Sequence, residues 1–432
     1  MANRSVPRKA EPEVLEVDVG APVAGGRCIA RHDGRVLFVR GALPGERVNV
    51  HVTGTGRGGK FAWAQTIEVL QASADRVVPP CALAGRCGGC DWQHASLEAQ
   101  RALKAQVVVD SLVRTGGLTE IDGVPIDELV TVEPLDDGDG LGWRTRMRFA
   151  STNDGFLGLR EHNSHTVLRA DGCPLEVTEI RSAISDSKGW PSPSKKADVV
   201  VVASSSGERA IEFVNDDGKI DKLKAPTSEI PTDVAIAGTR GRSWVSEEAN
   251  GRSWRVAIDG FWQVHPRATE TLTRTILDLL QPVAGESAMD LYSGVGVFAA
   301  AVAQAVGDGV VDAVEGDKSA VANARRNLHD MSQVRLHHAS VESWLANESD
   351  RHVDLVVLDP PRSGVARGVV EQITSFTPSR VCYVACDPAS LARDIALFRK
   401  HGYSVSKIAA FDLFPMTKHV ECVALLTPSK VS

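Results

Sequence analysis

The chain of 432 residues is 43% hydrophobic and 24% charged, an ordinary globular composition, and at ~150 residues per domain it has room for two or three. No run reaches the ~18 apolar residues that span a bilayer, and the opening MANRSVPRKAEPEVLEV lacks the apolar centre of a secretory leader, so a cytoplasmic protein without membrane attachment is expected. A net charge of −7 excludes coating of nucleic acid through bulk charge, but leaves open a local basic surface or a shaped pocket.

Residues 1–74 read as a small all-β unit. The runs EVLEVDVG, RVLFVRG, RVNVHV and FAWAQTIEVL are rich in Val, Ile and Phe and are separated by Gly and Pro turns, as in an oligonucleotide-binding type of barrel. Here Arg27, Arg31, Arg35, Arg40, Arg47, Arg57 and Lys60 outnumber Asp33, Glu46 and Glu68, which fits an RNA-facing surface or a solvated one. Residues 75–262 form a central α+β unit. It holds a helix over Ser96 to Leu112 with a Ser cap and Glu98 in its first turn, then a small sheet over Leu141 to Leu175. The Pro/Ser/Lys-rich GWPSPSKK that follows reads as an exposed loop. Within the sheet, Arg144, Arg146 and Arg148 alternate along WRTRMRF and should share one face, solvated or in contact with phosphate.

Residues 263–432 alternate apolar strands (SAMDLYS, GVVDAVEG, VRLHH, VDLVVLDPP, RVCYVACDP, SVSKIAAFD, VECVALLTP) with helical segments, the pattern of a doubly wound, mostly parallel α/β sheet. The short FPMTKH link predicts that its last two strands pair antiparallel.

Eight cysteines without a leader do not make a disulfide framework. Cys81, Cys87 and Cys90 lie within ten residues and Cys173 follows in a Gly-Cys-Pro turn, a set whose spacing suits zinc or an iron–sulphur cluster equally. Trp92 and His94 are read as packing beside that site. Cys382 and Cys422 fall inside strands and read as core residues.

Two regions carry chemistry. In DLYSGVG, Gly294 and Gly296 form a turn between a strand and a small-residue helix, and Glu315 ends the next strand, placed to accept hydrogen bonds from ribose hydroxyls. Ala299 occupies the third glycine position of the dinucleotide fingerprint, so the turn suits a nucleoside such as S-adenosylmethionine better than NAD. Further on, Asp359 in LDPPRSG, Cys386 in CDP and Glu421 in HVE stand at neighbouring strand ends and offer an acid, a thiol and a second acid at one rim.

DLYSGVG, LDPPRSG, CDPASLARD and FPMTKHVECVALL, in that order and preceded by FWQVHP, resemble the bacterial RNA 5-methyluridine methyltransferases. The four cysteines and the barrel resemble the iron–sulphur branch that carries a TRAM domain and methylates 23S ribosomal RNA. That resemblance implies a Rossmann-like class I methyltransferase domain, with Cys386 as nucleophile toward uracil carbon 6 and Glu421 as the base that removes the carbon-5 proton. It also implies that Gln263, Tyr292 and Asp359 line the cofactor and target pocket, that Cys81, Cys87, Cys90 and Cys173 hold a 4Fe-4S cluster in preference to zinc, and that the protein is a monomer. Val297, His265 and the segment at Ala339 and Ser340, which lacks an acid, depart from the family pattern and leave the cofactor contacts less well defined. Two other functions stay open: methylation of the transfer-RNA T-loop uridine, and a non-catalytic RNA-binding or redox-sensing relic.

Overall fold

The computed structural model describes residues 13–152, 154–170, 172–184, 197–215, 230–348 and 351–429; the GWPSPSKK segment lies outside them. Strands β1 (Val14–Val23), β2 (Arg27–His32), β3 (Arg35–Arg40), β4 (Arg47–Thr55) and β5 (Phe61–Gln71) close into a barrel in the order β1-β2-β3-β5-β4. Alternate residues such as Val17 and Val19, Leu37 and Val39, and Val48 and Val50 point into it, the period-two burial of a pleated strand. The barrel's excess of basic residues is partly internal: Arg35 pairs with Glu13 at 2.6 Å and Arg40 is buried.

Helix α1 (Leu97–Arg114) starts at Ser96, whose Oγ accepts the Ala99 N–H at 3.3 Å. Its first turns put Ala99 and Leu103 against the barrel core, and its later turns put Val108 and Leu112 into the core of the C-terminal sheet. The helix therefore ties the two ends of the chain together. A hairpin, β6 (Glu120–Ile121) and β7 (Val124–Pro125), the short α2 (Ile126–Leu129) and β8 (Val132–Pro134) follow.

The central sheet comprises β9 (Arg146–Ser151), β10 (Leu157–Arg160), β11 (Val167–Arg169), β12 (Ala197–Ala203), β13 (Arg209–Asn215) and β14 (Ala235–Ile236), in the order β11-β10-β9-β12-β13-β14. Helix α3 (Thr178–Ile184) lies between β11 and β12 in the chain, and β15 (Trp244–Ala249) and β16 (Arg252–Ala257) form a separate hairpin.

The C-terminal sheet is doubly wound. Its elements are α4 (Ala268–Leu280), β17 (Ala288–Leu291), α5 (Val297–Val306), β18 (Val311–Glu315), α6 (Lys318–Asn327), β19 (Val334–His338), α7 (Val341–Asn347), β20 (Leu355–Leu358), α8 (Val369–Ser375), β21 (Arg380–Ala385), α9 (Pro388–Lys400), β22 (Tyr403–Asp412) and β23 (Glu421–Pro428). The eight strands run β19-β18-β17-β20-β21-β23-β22-β8. Strands β17 and β20 are buried at every residue because helices cover both faces. As the FPMTKH link predicts, β22 and β23 pair antiparallel. Strand β8, from far upstream, adds to the β22 edge in parallel.

The link between β22 and β23 is held by α1. Lys104 Nζ donates to Asp412 Oδ1 at 2.5 Å and to the Phe414 carbonyl at 3.0 Å, with both side chains buried. Gln100 Oε1 accepts the Met416 N–H at 2.7 Å, where Met416 has φ of +69°. Removing one member of a buried pair strands the other charge. Lys104→Met is expected to lower unfolding stability in urea by about 3–5 kcal/mol, and Lys104→Met with Asp412→Leu to recover most of the loss. A Lys104→Met chain as stable as the wild type would contradict this account.

Candidate active site

The crevice of a doubly wound sheet opens at the carboxyl ends of its strands, where the chain order reverses. Here β17 lies between β18 and β20, so the turn after β17 faces that crevice. Tyr292 (φ +68°), Gly294 (φ +55°) and Gly296 (φ +94°) bend the backbone through it. A Cβ on Gly296 would come within 2.6 Å of Leu328, whereas one on Gly294 would meet nothing, so one glycine serves packing and the other leaves an open face. Glu315 is tied to this turn, its two oxygens accepting the Gly294 N–H at 2.8 Å and the Asp317 N–H at 2.6 Å. Beneath it, Ser293 Oγ is buried without a hydrogen-bond partner, while the Asp290 carboxyl is buried against the Ala299 backbone N–H, and burial pushes it up to about 8. A buried orphan hydroxyl under an open glycine turn fits a polar ligand seated there. Glu342 adds a negative charge toward Tyr292. This acid lies two residues beyond Ser340, which caps α7 through the Ser343 N–H at 3.2 Å. It supplies an acid near the point where the sequence lacks one, and the Ser-x-Glu helix start is the signal that could have found it.

Asp359, Cys386 and Glu421 meet at one rim. Strands β21 and β23 pair antiparallel up to Ala385 opposite Cys422; Cys386 follows β21 directly and Glu421 begins β23, near enough for the Glu421 charge to act on the thiol. Asp359 follows β20, the parallel neighbour of β21, and its N–H reaches the Leu291 carbonyl at 3.4 Å. The three groups feel one another. Burial, then the negative charge of Glu421, pushes the Cys386 thiol up to about 11. Burial, then Asp359, raises the Glu421 carboxyl well above its ordinary range, and burial takes Asp359 up to about 7. The Arg362 guanidinium pulls the other way on both Cys386 and Glu421. Arg362 sits in a loop fixed by the buried Asp394, which accepts from Val365 N–H at 3.0 Å and Tyr383 O–H at 2.6 Å.

Gln263 is half-buried in the segment that joins β16 to α4, two residues beyond Phe261, which is 72% exposed. His265, a departure from the family pattern, is buried and stacks on Trp143 with ring centroids 6.0 Å apart.

The four cysteines Cys81, Cys87, Cys90 and Cys173 line one cavity of about 300 Å³ together with Arg144 and Met147. Each sulfur receives a donor: Cys81 from Leu83 N–H and Cys87 from Gly89 N–H, both at 3.4 Å, Cys90 from the Gln93 side chain and Cys173 from the Leu175 backbone. Among the described residues, no group of three or more His, Cys, Asp and Glu side chains is placed to hold a metal ion. Burial comes first among the causes that push Cys90 up to about 12 and Cys173 up to about 11. Arg40 of the barrel clamps the cysteine loop, donating to the carbonyls of Gly85, Cys87 and Cys90 at 2.9, 3.2 and 3.3 Å. The arginine stripe needs correction: the three side chains do not form a common phosphate face. Arg146 is buried and pairs with Glu247 at 3.0 Å, Arg148 pairs with Asp198 at 2.6 Å, and Arg144 lines the cysteine cavity. Alternation assigned them one side of the strand, but not what covers that side.

Residues 248–429 match the family model for tRNA (uracil-5-)-methyltransferase, and residues 8–61 that for the TRAM domain. A protein described as an uncharacterised RNA methyltransferase of Streptomyces avermitilis is 43% identical over 428 residues, which is 96% of this chain and 99% of its own. One of Bifidobacterium longum is 33% identical over 458 residues, covering 99% of both. Among solved structures, the tRNA (uracil-54, C5)-methyltransferase of Pyrococcus abyssi, in complex with S-adenosyl-L-homocysteine, shares the fold at a TM-score of 0.69 with 23% identity, over 96% of this chain and 100% of that one. Full-length relatives, the matching catalytic region and the N-terminal barrel together lead to one assignment: the chain belongs to the RNA uracil-5-methyltransferase family and carries a TRAM domain.

Proposed function

We propose that this enzyme moves a methyl group from S-adenosylmethionine to carbon 5 of a uridine in 23S ribosomal RNA, through a covalent bond between Cys386 and uracil carbon 6. The observation that supports the reading is that the antiparallel β21–β23 pair ends where Cys386 and Glu421 lie, with the Glu421 charge acting on the thiol. A relic would be free to lose one of the two; here both are present and coupled. Three parts divide the work: the barrel of 1–74 for RNA, the unit of 75–262 around the cysteine cavity, and 263–432 for transfer.

Bound S-adenosylmethionine would supply an electrophilic methyl group on a sulfonium. Gly294 would admit it to the crevice, Gly296 packing the turn against Leu328, with Tyr292, Glu315 and Asp359 around it, and Gln263 would face the target base. Uracil carbon 5 is a weak nucleophile. The Cys386 thiolate adds to carbon 6, forming a C–S bond and moving the ring π electrons to an enolate whose carbon 5 takes the methyl. Glu421 then removes the carbon-5 proton, the C–S bond breaks, the 5,6 double bond returns and the thiolate leaves. The base must leave its stack to meet a thiol at a strand end, so the target uridine is flipped.

The ribosomal substrate rests on the four-cysteine set. Four-Cys iron–sulphur sites are tuned by hydrogen bonds to sulfur, and here all four sulfurs have donors around a shared cavity. The preference for a cluster over zinc rests on the resemblance of the cysteine spacing to the iron–sulphur branch. Cys81, Cys87, Cys90 and Cys173 would hold a 4Fe-4S cluster that stiffens the loop; no step above needs its electrons.

Mass spectrometry of ribosomal and transfer RNA from cells with and without the gene tests the substrate. The expected result is one 5-methyluridine in 23S RNA that disappears on deletion and stays absent when Cys386→Ala is supplied. Loss from transfer RNA instead would keep the chemistry and replace the substrate, while no change in either would overturn the proposal.

The thiol has its own test. Only the thiolate is alkylated, so in the ligand-free protein iodoacetamide labelling of Cys386 should rise about tenfold per pH unit from neutrality toward about 11. Arg362→Met, which removes a charge that favours the thiolate, should slow labelling at each pH below the plateau. A labelling midpoint at or below the ordinary ~8.5 would contradict this.

A further inference from the structure

Away from the cleft, hairpin β15–β16 buries one face and turns the other outward. In its register Trp244 lies opposite Ala257, Ser246 opposite Arg255 and Glu248 opposite Ser253, so these six share the outer face. Val245, Glu247 and Ala249 on the inner face are buried. On the outer face two guanidiniums rest against one ring: Arg242 Cζ is 3.8 Å and Arg255 Cζ 4.3 Å from the Trp244 centroid. Both distances are within cation–π range, which keeps the two side chains extended.

A third cation joins them from α6. Asn327 pins that helix to β16 by accepting the Arg255 N–H at 2.9 Å and donating to the Arg255 carbonyl at 3.2 Å. Arg326, its neighbour in the chain, is exposed, and its charge repels Arg255, as does that of Arg242. Arg242 pairs with Glu208. Among the described residues, neither Arg255 nor Arg326 has a carboxylate within ion-pair distance, and Arg255 Nε is buried without a hydrogen-bond partner. Three guanidiniums share one face with a single counter-ion, so an anion there would relieve the repulsion.

Position decides which anion. Trp244 and its partner Ala257 stand at the end of the hairpin from which the chain turns, with the Gly260 N–H bonded to the Ala257 carbonyl at 3.0 Å. It then presents the exposed Phe261 and reaches Gln263, which the family resemblance assigns to the target pocket. The basic face therefore lies a few residues along the chain from that segment, while Glu248 stands at the hairpin's other end. In a chain of net charge −7, affinity for phosphate must come from local groups of this kind.

We propose that Arg242, Arg255 and Arg326, braced on Trp244, form a contact surface for the phosphates of the RNA strand that flanks the target nucleotide. It rests on the RNA-methyltransferase assignment and is independent of whether the target is ribosomal. The surface is separate from the barrel and would hold the strand on the side of the cleft reached through Phe261.

The test is binding of the full-length protein to a fluorescein-labelled oligouridylate, measured by anisotropy across a salt series. Each phosphate contact contributes about 0.7 to the fall of log K with log salt on a single strand. Arg255→Gln with Arg326→Gln should reduce that slope by about 1.4 and weaken binding about tenfold at low salt. Trp244→Ala should weaken binding similarly and Trp244→Phe should restore it, with thermal melting used to confirm that each variant is folded. An unchanged slope in the folded double variant would overturn the proposal. Absence of RNA binding by the wild-type chain would overturn it together with the RNA assignment.

Discussion

The antiparallel register between β21 and β23 is the constraint on which the site depends. A slip of one residue would turn Glu421 to the opposite face of the sheet and take it away from Cys386. That register is fixed by the link between β22 and β23. The link cannot slide because Lys104 holds Asp412 and the Phe414 carbonyl while Gln100 holds the Met416 N–H. A helix that follows the barrel in the chain thus sets the last strand of the catalytic sheet. The positive φ of Met416 is sustained by these bonds from outside the link.

The same link is gripped from its other side. Asp91 and Trp92 donate their N–H groups to the Met416 carbonyl at 3.1 and 3.0 Å, and the Lys418 N–H reaches Asp91 Oδ2 at 3.3 Å. These residues directly follow Cys90, and the carbonyls of the cysteine loop are clamped by Arg40 of the barrel. Barrel, cysteine loop and the strand that carries Glu421 form one hydrogen-bonded route. The cysteine loop, clamped by Arg40, thereby holds Asp91 and Trp92 where the link requires them.

The doubly wound sheet was legible because its strands are continuous apolar runs between helical periods, a pattern imposed by burial on both faces. The cap of α1, the barrel and the antiparallel final pair followed from equally local signals. The chemistry-bearing residues were legible as strand-end motifs at one rim, but the β21–β23 register that fixes their spacing was not, because register is a tertiary property. For the same reason nothing local announced that Val132 would pair beside Ala410, or that Arg146 would find Glu247 beneath the hairpin. Glu342 belongs to this class in its approach to Tyr292, whereas the guanidiniums on Trp244 come from Arg242, two residues before it, and Arg255, across the same hairpin.

Burial disfavours the charged forms of Asp359, Cys386 and Glu421 alike, and the Glu421 and Asp359 charges push the Cys386 thiol further up. The most direct test of the central claim is to offer the enzyme and S-adenosylmethionine an RNA in which uridine is replaced by 5-fluorouridine, and to run the product on a denaturing gel. Fluorine at carbon 5 cannot be removed as a proton, so elimination stops and the Cys386–carbon 6 bond persists. A covalent protein–RNA band with the wild-type chain, absent with Cys386→Ala and mapped to Cys386, is the predicted result. A wild-type chain that methylates unmodified RNA but forms no such band, or a band that survives Cys386→Ala, would contradict the account.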